Sequence, residues 1–365
     1  PHQLSSIAFG TRGYESILFD LQGSDIILDE IHTYSDIMQS IVLKMVEVLK
    51  HVGCRIHIGT ATMPSVLEEA IFEILGKEEV QYVQLPDAIL TSFNRHKIYK
   101  TTTFTNILPV LEEAIEQKKK ILIVCNRVSN AQILFERMEE FYPKTAKMLI
   151  HSRFKRGDRN RLEKELKDVY NITPHACIVV ATQVVEVSLD ISFDLMITET
   201  APIDALIQRF GRINRKRTVD TIGKYKPIYV IAPPEKDSDC LPYNPKVLKN
   251  SFDVLPDNGE LLKETELQSL INSVYPEIER LDIDLDAVFV NEKWRLKELC
   301  HLPKSALIEK LDIDSVACIT QEDDETGKYR NANKEERILM EIPVRYNSLR
   351  WKNLKQLDIG THPFM

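Results

Sequence analysis

The chain has 365 residues, 43% of them hydrophobic, which is enough to bury the cores of two or three globular domains. Its 47 basic and 55 acidic residues give a net charge of -8, which excludes nucleic-acid binding by bulk electrostatics and requires any such site to be local. The six cysteines form no CxxC pair, which argues against zinc and a disulfide framework and favours a reduced cytoplasm. No apolar run has the length of a membrane span, and because the first residue is Pro1 we expect a fragment or a processed chain.

The first part of the chain alternates short buried strands with helices. Residues 25 to 28 have the continuous apolar pattern of a buried strand, and apolar residues at 3.6 spacing between Met38 and Leu49 predict a long helix. A second strand is predicted at residues 55 to 58. Pro64 opens a further helix, which is predicted to stop at Gly76.

A second alternating series begins near residue 100 and predicts a parallel sheet covered by helices. Its strands are predicted at residues 121–124, 148–150, 178–180, 195–197 and 228–231. Residues 77 to 100 are mixed in polarity and are predicted to connect two lobes, and a later helix is predicted from Glu264 to Val274.

These patterns predict an α/β fold with three regions. We expect residues 1–92 to be the C-terminal part of a first lobe and residues 93–235 to be a second lobe. Residues 236–365 are expected to form a linker and a C-terminal accessory region.

Two carboxylates, Asp29 and Glu30, end the first predicted strand, where open α/β sheets place their ligand sites. Asp29 could hold Mg2+ and Glu30 could polarise the water that attacks a γ-phosphate. The hydroxyls of Thr60 and Thr62, after the next strand, could hydrogen-bond these carboxylates. The alternatives, a loop cap and an ordinary Ser/Thr turn, remain open from these residues alone.

A second candidate site follows the strand at residues 178–180. The pattern from Ile203 to Ile213 predicts a helix that presents Gln208, Arg212 and Arg215 at i, i+4 and i+7 on its polar side. Two guanidiniums one turn apart could meet phosphate oxygens, as arginine fingers do. The alternative is a solvated basic helix face, and Gly211 inside the helix favours a close backbone approach.

A third cluster concentrates positive charge after a predicted strand, in the string HSRFKRGDRNR at residues 151 to 161. In an acidic chain it is the best local candidate for binding phosphates. The same residues begin a helix and could simply face water, so both interpretations stay open.

In chain order these motifs resemble one family, the helicase component of CRISPR type I interference systems, a superfamily 2 group usually found with an HD-type nuclease. The matching strings, spread over residues 25 to 217, are DEIHTYSD, GTATMP, ILIVCNR, HSRFKRGDR, ATQVVEVSLDIS and APIDALIQRFGRINR. The resemblance implies tandem RecA-like lobes, with ATP and Mg2+ as cofactors. It also implies single-stranded DNA as the substrate and a Cascade-type surveillance complex and an HD-type nuclease as partners.

The resemblance also implies roles for individual residues. Asp29 would coordinate Mg2+ and Glu30 would activate water, while three residues would couple the nucleotide state to lobe movement: His32, Thr60 and Thr62. Four residues would complete the ATP site: Asp190, Gln208, Arg212 and Arg215. Three residues would line the single-strand track: Asn126, Arg153 and Thr182.

The chain also departs from this family. Its Gly-Lys pairs, at residues 76, 223 and 327, lack the following Ser/Thr and the earlier Gly of a P-loop, and no His is followed by Asp as in the nuclease signature. We therefore expect a first lobe without its front half and a helicase fragment or split subunit that is inactive alone. Two other hypotheses are a non-catalytic docking or strand-holding module and a piece of a DEAH-type RNA helicase.

Overall fold

The computed structural model describes residues 2–11, 13–29, 31, 36–60, 62–186, 189–216, 218–277, 283, 287–295, 315–345, 354–355 and 357. The chain forms two compact units. Unit 1 contains Pro1–Gln84 and Ile271–Asp314, and unit 2 contains Leu85–Leu270 and Ser315–Pro363. None of the helices in the described parts of the chain is both long and apolar enough to cross a membrane.

Unit 1 is built on a pair of parallel strands, β1 (Asp25–Asp29) and β2 (Arg55–Gly59), in which Asp29 pairs with Gly59. Four helices accompany them: α1 (His2–Phe9), α2 (Tyr14–Leu21), α3 (Asp36–His51) and α4 (Ser65–Leu75). Ile26 and Leu28 face a core that the apolar stripe of α3 completes, whereas alternate β1 residues are exposed. Both predicted strands and both predicted helices are therefore confirmed.

A short hairpin also belongs to unit 1. Its strands are β10 (Phe289–Val290) and β11 (Lys293–Trp294), and its turn residues Asn291 and Glu292 have positive φ. The ring of Phe289 lies 4.7 Å from the ring of His51 and 4.8 Å from that of Trp294, measured between centroids. The hairpin therefore packs its aromatic side chains against the end of α3.

Unit 2 is built on a seven-stranded sheet. Its strands are β3 (His96–Thr101), β4 (Lys120–Val124), β5 (Ala146–Ile150), β6 (Cys177–Ala181), β7 (Leu195–Glu199), β8 (Lys226–Ile231) and β9 (Glu260–Leu262). The order across the sheet is β5-β6-β4-β7-β8-β3-β9, and every neighbouring pair is parallel except β3 and β9. This parallel-dominated sheet confirms the predicted α/β class.

Helices accompany the sheet between its strands, as the alternating pattern predicts. They are α5 (Asp87–Ser92), α6 (Leu108–Glu116), α7 (Val128–Phe141), α8 (Arg156–Glu165), α9 (Ile203–Phe210) and α10 (Pro245–Val254). Side chains of the central strands, including Ile121 and Ile197, are almost fully buried with α6 and α7 in one core. Burial on both faces explains why these strands are continuous apolar runs in the sequence.

Two sequence predictions need correction. Residues 77–100 are not simply a connection, because His96–Thr101 forms β3 between β8 and β9. The helix predicted from Glu264 begins three residues later: Glu264–Glu266 is a 3-10 turn, and α11 is Leu267–Val274.

Unit 2 also contains a small α/β element at residues 315–345. Strands β12 (Ser315–Cys318) and β13 (Ile342–Arg345) pair antiparallel. Three short helices lie between them: α12 (Gln321–Glu325), α13 (Lys328–Asn331) and α14 (Lys334–Met340).

Candidate functional site

The carboxyl edge of the unit 2 sheet gathers polar residues from strands that neighbour one another. Asn126 follows β4, His151 follows β5 and Thr182 follows β6, and these three strands are adjacent and parallel. The carboxyl ends of parallel strands meet at one edge, which is where open α/β sheets bind ligands. The edge is therefore the candidate site of unit 2.

Arg209, on α9, is the centre of a buried polar network at this edge. Its side chain is fully buried, and Nε donates to a carboxylate oxygen of Glu186 across 2.7 Å. Nη1 donates to the hydroxyl of Thr198 and the carbonyl of Glu199, and Nη2 donates to Oδ1 of Asn126 across 3.0 Å. The guanidinium thus connects α9 to three segments that are distant in the sequence.

The amide of Asn126 is used within the protein. Its Oδ1 accepts from Arg209, and its Nδ2 donates to the carbonyl of Thr200 across 2.8 Å. The carbonyl of Asn126 accepts from Nε2 of Gln183, which also lies 3.4 Å from the hydroxyl of Tyr243. Asn126 is thereby fixed to the turn that follows β6.

Thr182 starts that turn, and its side chain is almost fully buried. Its amide donates to the carbonyl of Ile150 across 3.3 Å, which links the ends of β6 and β5. Asn126 and Thr182 therefore lie together at the sheet edge, but both are integrated into the fold.

The predicted helix carrying Gln208, Arg212 and Arg215 is shorter than expected. α9 ends at Phe210, so only half-buried Gln208 lies on its last turn, and Arg212 and Arg215 lie in the segment that follows. The segment leaves the helical path because Ile213 forms a bridge with Phe193, beside β7. The spacing i, i+4 and i+7 on one helix face is therefore wrong.

Gly211 caps this helix in an ordinary right-handed conformation. A methyl group added at Gly211 would lie 3.1 Å from the carbonyl oxygen of Gln208. The close backbone approach that was expected at Gly211 is therefore an approach to its own helix.

Arg212 is buried, and its guanidinium donates through Nε to the carbonyl of Val185 across 2.5 Å and through Nη2 to the carbonyl of Glu186. Burial, with a contribution from the nearby charge of Arg215, lowers the pKa of Arg212 to about 10. The group therefore stays protonated at neutral pH. It keeps donor capacity beyond these two carbonyls, because a guanidinium has five N–H groups.

Arg215 has a different environment from Arg212. Its Nε lies 2.9 Å from a carboxylate oxygen of Asp190, and the Arg215 side chain is partly exposed while that of Asp190 is exposed. Two of the residues implied for the ATP site therefore form an ion pair that solvent reaches. Such a pair can open for an anionic ligand at little energetic expense.

The basic cluster that begins at His151 separates into distinct environments. Arg153 is exposed, and no carboxylate in the described part of the chain forms an ion pair with its side chain. Lys155, by contrast, pairs with Asp323. Arg159 pairs with Glu163 and Arg161 with Asp158 along α8.

His151 is buried beneath this cluster. Its ring stacks on Phe154 with 4.3 Å between centroids, and Nδ1 accepts from the backbone amide of Arg153 across 3.2 Å. Burial, together with the positive charge of Arg153, lowers the pKa of His151. The imidazole is thus neutral at neutral pH and shapes the loop that carries Arg153.

In unit 1, Asp29 is an exposed residue at the carboxyl end of β1. Gly59, at the end of β2, lies beside it, because a methyl group added at Gly59 would be 3.6 Å from Oδ1 of Asp29. Thr60 and Thr62 follow β2, and the amide of Thr62 lies 3.4 Å from the Thr60 hydroxyl. Glu30 and His32 lie outside the described residues. An exposed carboxylate at a strand end is the kind of ligand that Mg2+ takes, because this ion typically binds one or two protein carboxylates and completes its shell with water and phosphate.

Gln183, Glu186 and Arg209 lie in the motif strings quoted from the sequence but were assigned no individual role, and Tyr243 was not identified at all. Arg209 follows Leu206 by one helical turn, so helical geometry places it at the margin of the apolar stripe. A position at the margin of the apolar stripe indicates that the side chain of Arg209 is buried, and the sequence contains this information. The partners of Arg209 carried no comparable local signal.

The parallel sheet, with polar and charged residues gathered at its carboxyl edge, has the fold of a RecA-like lobe. Residues 117–218 match the family model described as CRISPR-associated nuclease/helicase Cas3, C-terminal. The chain is 28% identical over 293 residues to the CRISPR-associated nuclease/helicase Cas3 of Methanothermobacter thermautotrophicus, covering 76% of this chain and 34% of that protein. It is 27% identical to the Cas3 of Streptococcus thermophilus, covering 91% of this chain and 38% of that protein.

Solved structures give the same fold. A crystal structure of T. fusca Cas3 superposes with a TM-score of 0.63 at 18% identity, covering 78% of this chain and 39% of that one. The chain is therefore similar to the helicase region of CRISPR-associated Cas3 proteins. It spans little more than a third of the length of these relatives.

Proposed function

We propose that the chain is the part of an ATP-dependent single-stranded DNA translocase that supplies the later motor motifs in CRISPR type I interference. In this proposal Arg212 and Arg215 stabilise the charge that develops on the transferred phosphoryl group, and Asp190 contacts the nucleotide. Asp29 binds Mg2+, and Glu30 orients the attacking water. Bound Mg2+ would neutralise charge on the β- and γ-phosphates of ATP.

The observation that carries the proposal is the contrast between two arginines of one motif. Arg209 is fully buried and has four protein acceptors, whereas the Arg215 side chain is 39% exposed and, among the described residues, pairs with Asp190 alone, across 2.9 Å. On a basic helix face that simply faces water, the arginines would all be exposed, and none would be buried among four acceptors. The segment after α9 thus holds a partly exposed cation beside Asp190 and Ser192, in the stretch that leads into β7, where a phosphate can reach it.

Arg153 is the side chain that we assign to the DNA strand. It projects from the loop after β5, and His151 and Phe154 fix that loop from below. Asn126 and Thr182 are, in this proposal, positioning residues whose interactions hold the floor of the strand track. An exposed arginine on a rigid loop suits a phosphate contact, which carries no sequence information.

Some solved structures that resemble this chain suggest ligands and partners. T. fusca Cas3 has been crystallised with ADP and with ATP, and another Cas3-like chain is part of a CRISPR RNA-guided surveillance complex in a pre-nicking state. We propose ATP as the nucleotide of this chain and a Cascade-type surveillance complex as its partner. We further propose that it works with an HD-type nuclease, because the relatives are named as nuclease/helicases.

The test is ATP turnover with single-stranded DNA. We expect the 365-residue chain alone to show no ATP turnover, because its sequence contains no Gly-rich loop that can bind the β- and γ-phosphates. Addition of a P-loop-bearing first-lobe segment as a separate polypeptide should give DNA-stimulated turnover. Robust hydrolysis by the chain alone would refute this part of the proposal.

Arg215→Ala tests the motor role within the reconstituted mixture. It should lower turnover by at least about a hundredfold, as loss of an arginine finger does. The matched control is Lys216→Ala, which removes the neighbouring exposed cation and should leave turnover unchanged. A non-catalytic docking module, the main alternative, would show no difference between the two variants. Stimulation by RNA rather than DNA would favour a DEAH-type helicase.

A further inference from the structure

Residues 315–345 form a self-contained element, here called the C-terminal clip. β12 and β13 pair along four residues, and the Thr320 side chain caps α12 by accepting from the amide of Asp323. Inside the clip, the hydroxyl of buried Tyr329 donates to a carboxylate oxygen of Glu341 across 2.9 Å. The clip is therefore held by its own contacts.

The clip completes the start of α8. The first amides of a helix have no partner within the helix, and Lys155, at the N-cap, offers no side-chain acceptor. The amide of Arg156 instead donates to the carbonyl of Glu341, across 2.9 Å. The clip thus supplies an acceptor that the local sequence lacks.

A buried ion pair strengthens this contact. Nζ of Lys155 lies 2.5 Å from a carboxylate oxygen of Asp323, whose side chain is only 3% exposed. Burial would raise the pKa of Asp323, but the hydrogen bonds from Lys155 and Thr320 outweigh it, and the pKa is lowered. Breaking such a pair would leave a buried carboxylate uncompensated, so phosphates of a passing strand do not displace it.

Gly157 allows the close approach. A methyl group at this position would lie 3.2 Å from the carbonyl oxygen of Leu339 and 3.3 Å from its Cβ. Because that oxygen belongs to the backbone of α14, it can move only with the whole helix. Glycine inside α8 lowers the stability of the isolated helix, so its presence fits a role in docking.

We propose that the C-terminal clip positions the loop 151–155, so that Arg153 reaches the DNA strand, with Lys155 and Asp323 as positioning residues. The inference rests on the proposed function, in which Arg153 contacts phosphates. Lys155 is two residues from Arg153 and begins α8, so its anchorage fixes the outgoing end of the loop. His151 fixes the other end through its contact with the Arg153 amide.

The direction in which one substitution changes DNA affinity tests the proposal. Removing a carboxylate near a phosphate site should tighten DNA binding if charge alone matters. We expect the opposite from Asp323→Asn in the 365-residue chain: several-fold weaker binding of a fluorescent oligo-dT and a salt slope lower by about 1, as for the loss of one phosphate contact. Gly157→Ala, which changes no charge, should weaken binding in the same direction. Unchanged or tighter binding by Asp323→Asn overturns the proposal.

Glu322→Gln is the matched control, because it removes one carboxylate from the same helix at an exposed position. We expect its DNA affinity to be unchanged or slightly higher. Hydrogen exchange without DNA supplies a readout that does not depend on strand binding: amides 152–157 should exchange faster in Asp323→Asn and as in wild type in Glu322→Gln. Unaltered exchange of amides 152–157 in Asp323→Asn would overturn the proposal that the clip positions the loop. If Arg153→Ala leaves DNA affinity unchanged, Arg153 does not contact the DNA strand. The exchange result still tests separately whether the clip positions the loop.

Discussion

The guanidinium of Arg209 meets the carboxylate of Glu186 across 2.7 Å, in an environment where the arginine side chain has no exposure to solvent. Burial raises the pKa of Glu186, although the charge of Arg209 acts in the opposite direction. A buried pair of this kind is tolerated only when its remaining donors are satisfied, and here Thr198, Glu199 and Asn126 accept them. The pair therefore ties α9 to the turn after β6.

Replacing Arg209 should destabilise unit 2 strongly. Arg209→Met leaves Glu186 buried without a partner, and we expect a loss of about 3 kcal/mol in the free energy of unfolding. The measurement is hydrogen exchange of the β4 and β7 amides under denaturant. Arg137→Ala, at an exposed position on α7, is the control and should change the value by less than about 0.5 kcal/mol.

A double variant checks the cause of this loss. Adding Glu186→Gln to Arg209→Met removes the uncompensated charge, so part of the lost stability should return. If Arg209→Met unfolds at the wild-type denaturant concentration, the network does not have the structural role assigned to it.

Arg215 should behave differently from Arg209, although both belong to one motif. Its pair with Asp190 is exposed, and exposed pairs contribute little because solvent screens them. Arg215→Ala and Asp190→Asn should each change the free energy of unfolding by less than about 1 kcal/mol. Thermal or denaturant unfolding of both variants provides the comparison, and a loss comparable to that of Arg209→Met would mean that Arg215 is structural as well.

The sequence was sufficient to predict the strands that are buried on both faces. β4 and β6 are continuous apolar runs because helices cover both sides of the sheet there. β3 was missed because its sequence, HKIYKT, alternates polar and apolar residues, which fits a strand near the sheet edge with one accessible face. Its neighbour β9 lies more than 150 positions later in the sequence, so no local pattern predicts that the two strands pair.

The candidate site was predictable in its residue types but not in its geometry. Helical spacing placed Arg212 on α9, whereas the bridge between Ile213 and Phe193 ends the helix earlier. That bridge is a tertiary contact, and it overrides local helix propensity. The partners of Arg209 come from positions 126, 186 and 198, and only the sheet order brings them together.

Acid should loosen the loop that carries Arg153. The folded-state pKa of His151 lies below its ordinary value of 6.5, so the unfolded chain binds more protons as the pH falls through that value. The stabilisation is complete above about pH 6.5 and declines at lower pH. Protonation would also remove the acceptor at Nδ1 that the Arg153 amide uses.

Hydrogen exchange of the Arg153 amide, corrected for the intrinsic rate, measures this effect between pH 8 and about pH 5.5. We expect protection to fall with acid in the wild type. His151→Asn keeps an acceptor but does not titrate, so the acid-dependent fall in protection should disappear. A fall of equal size in that variant would assign the pH dependence to another group.

The salt dependence of DNA binding distinguishes Arg153 from the other cations of its cluster. Each phosphate contact releases condensed counterions, so Arg153→Ala should weaken binding of single-stranded DNA and lower the slope of log K against log salt by about 1. Arg161→Ala removes another exposed arginine, which already pairs with Asp158 on α8, and we expect its slope to match the wild type. Fluorescence anisotropy with oligo-dT at several salt concentrations gives both slopes. Equal reductions in the two variants would show that the strand interacts with the whole face of α8, because diffuse attraction does not distinguish an arginine on the loop from one on the helix.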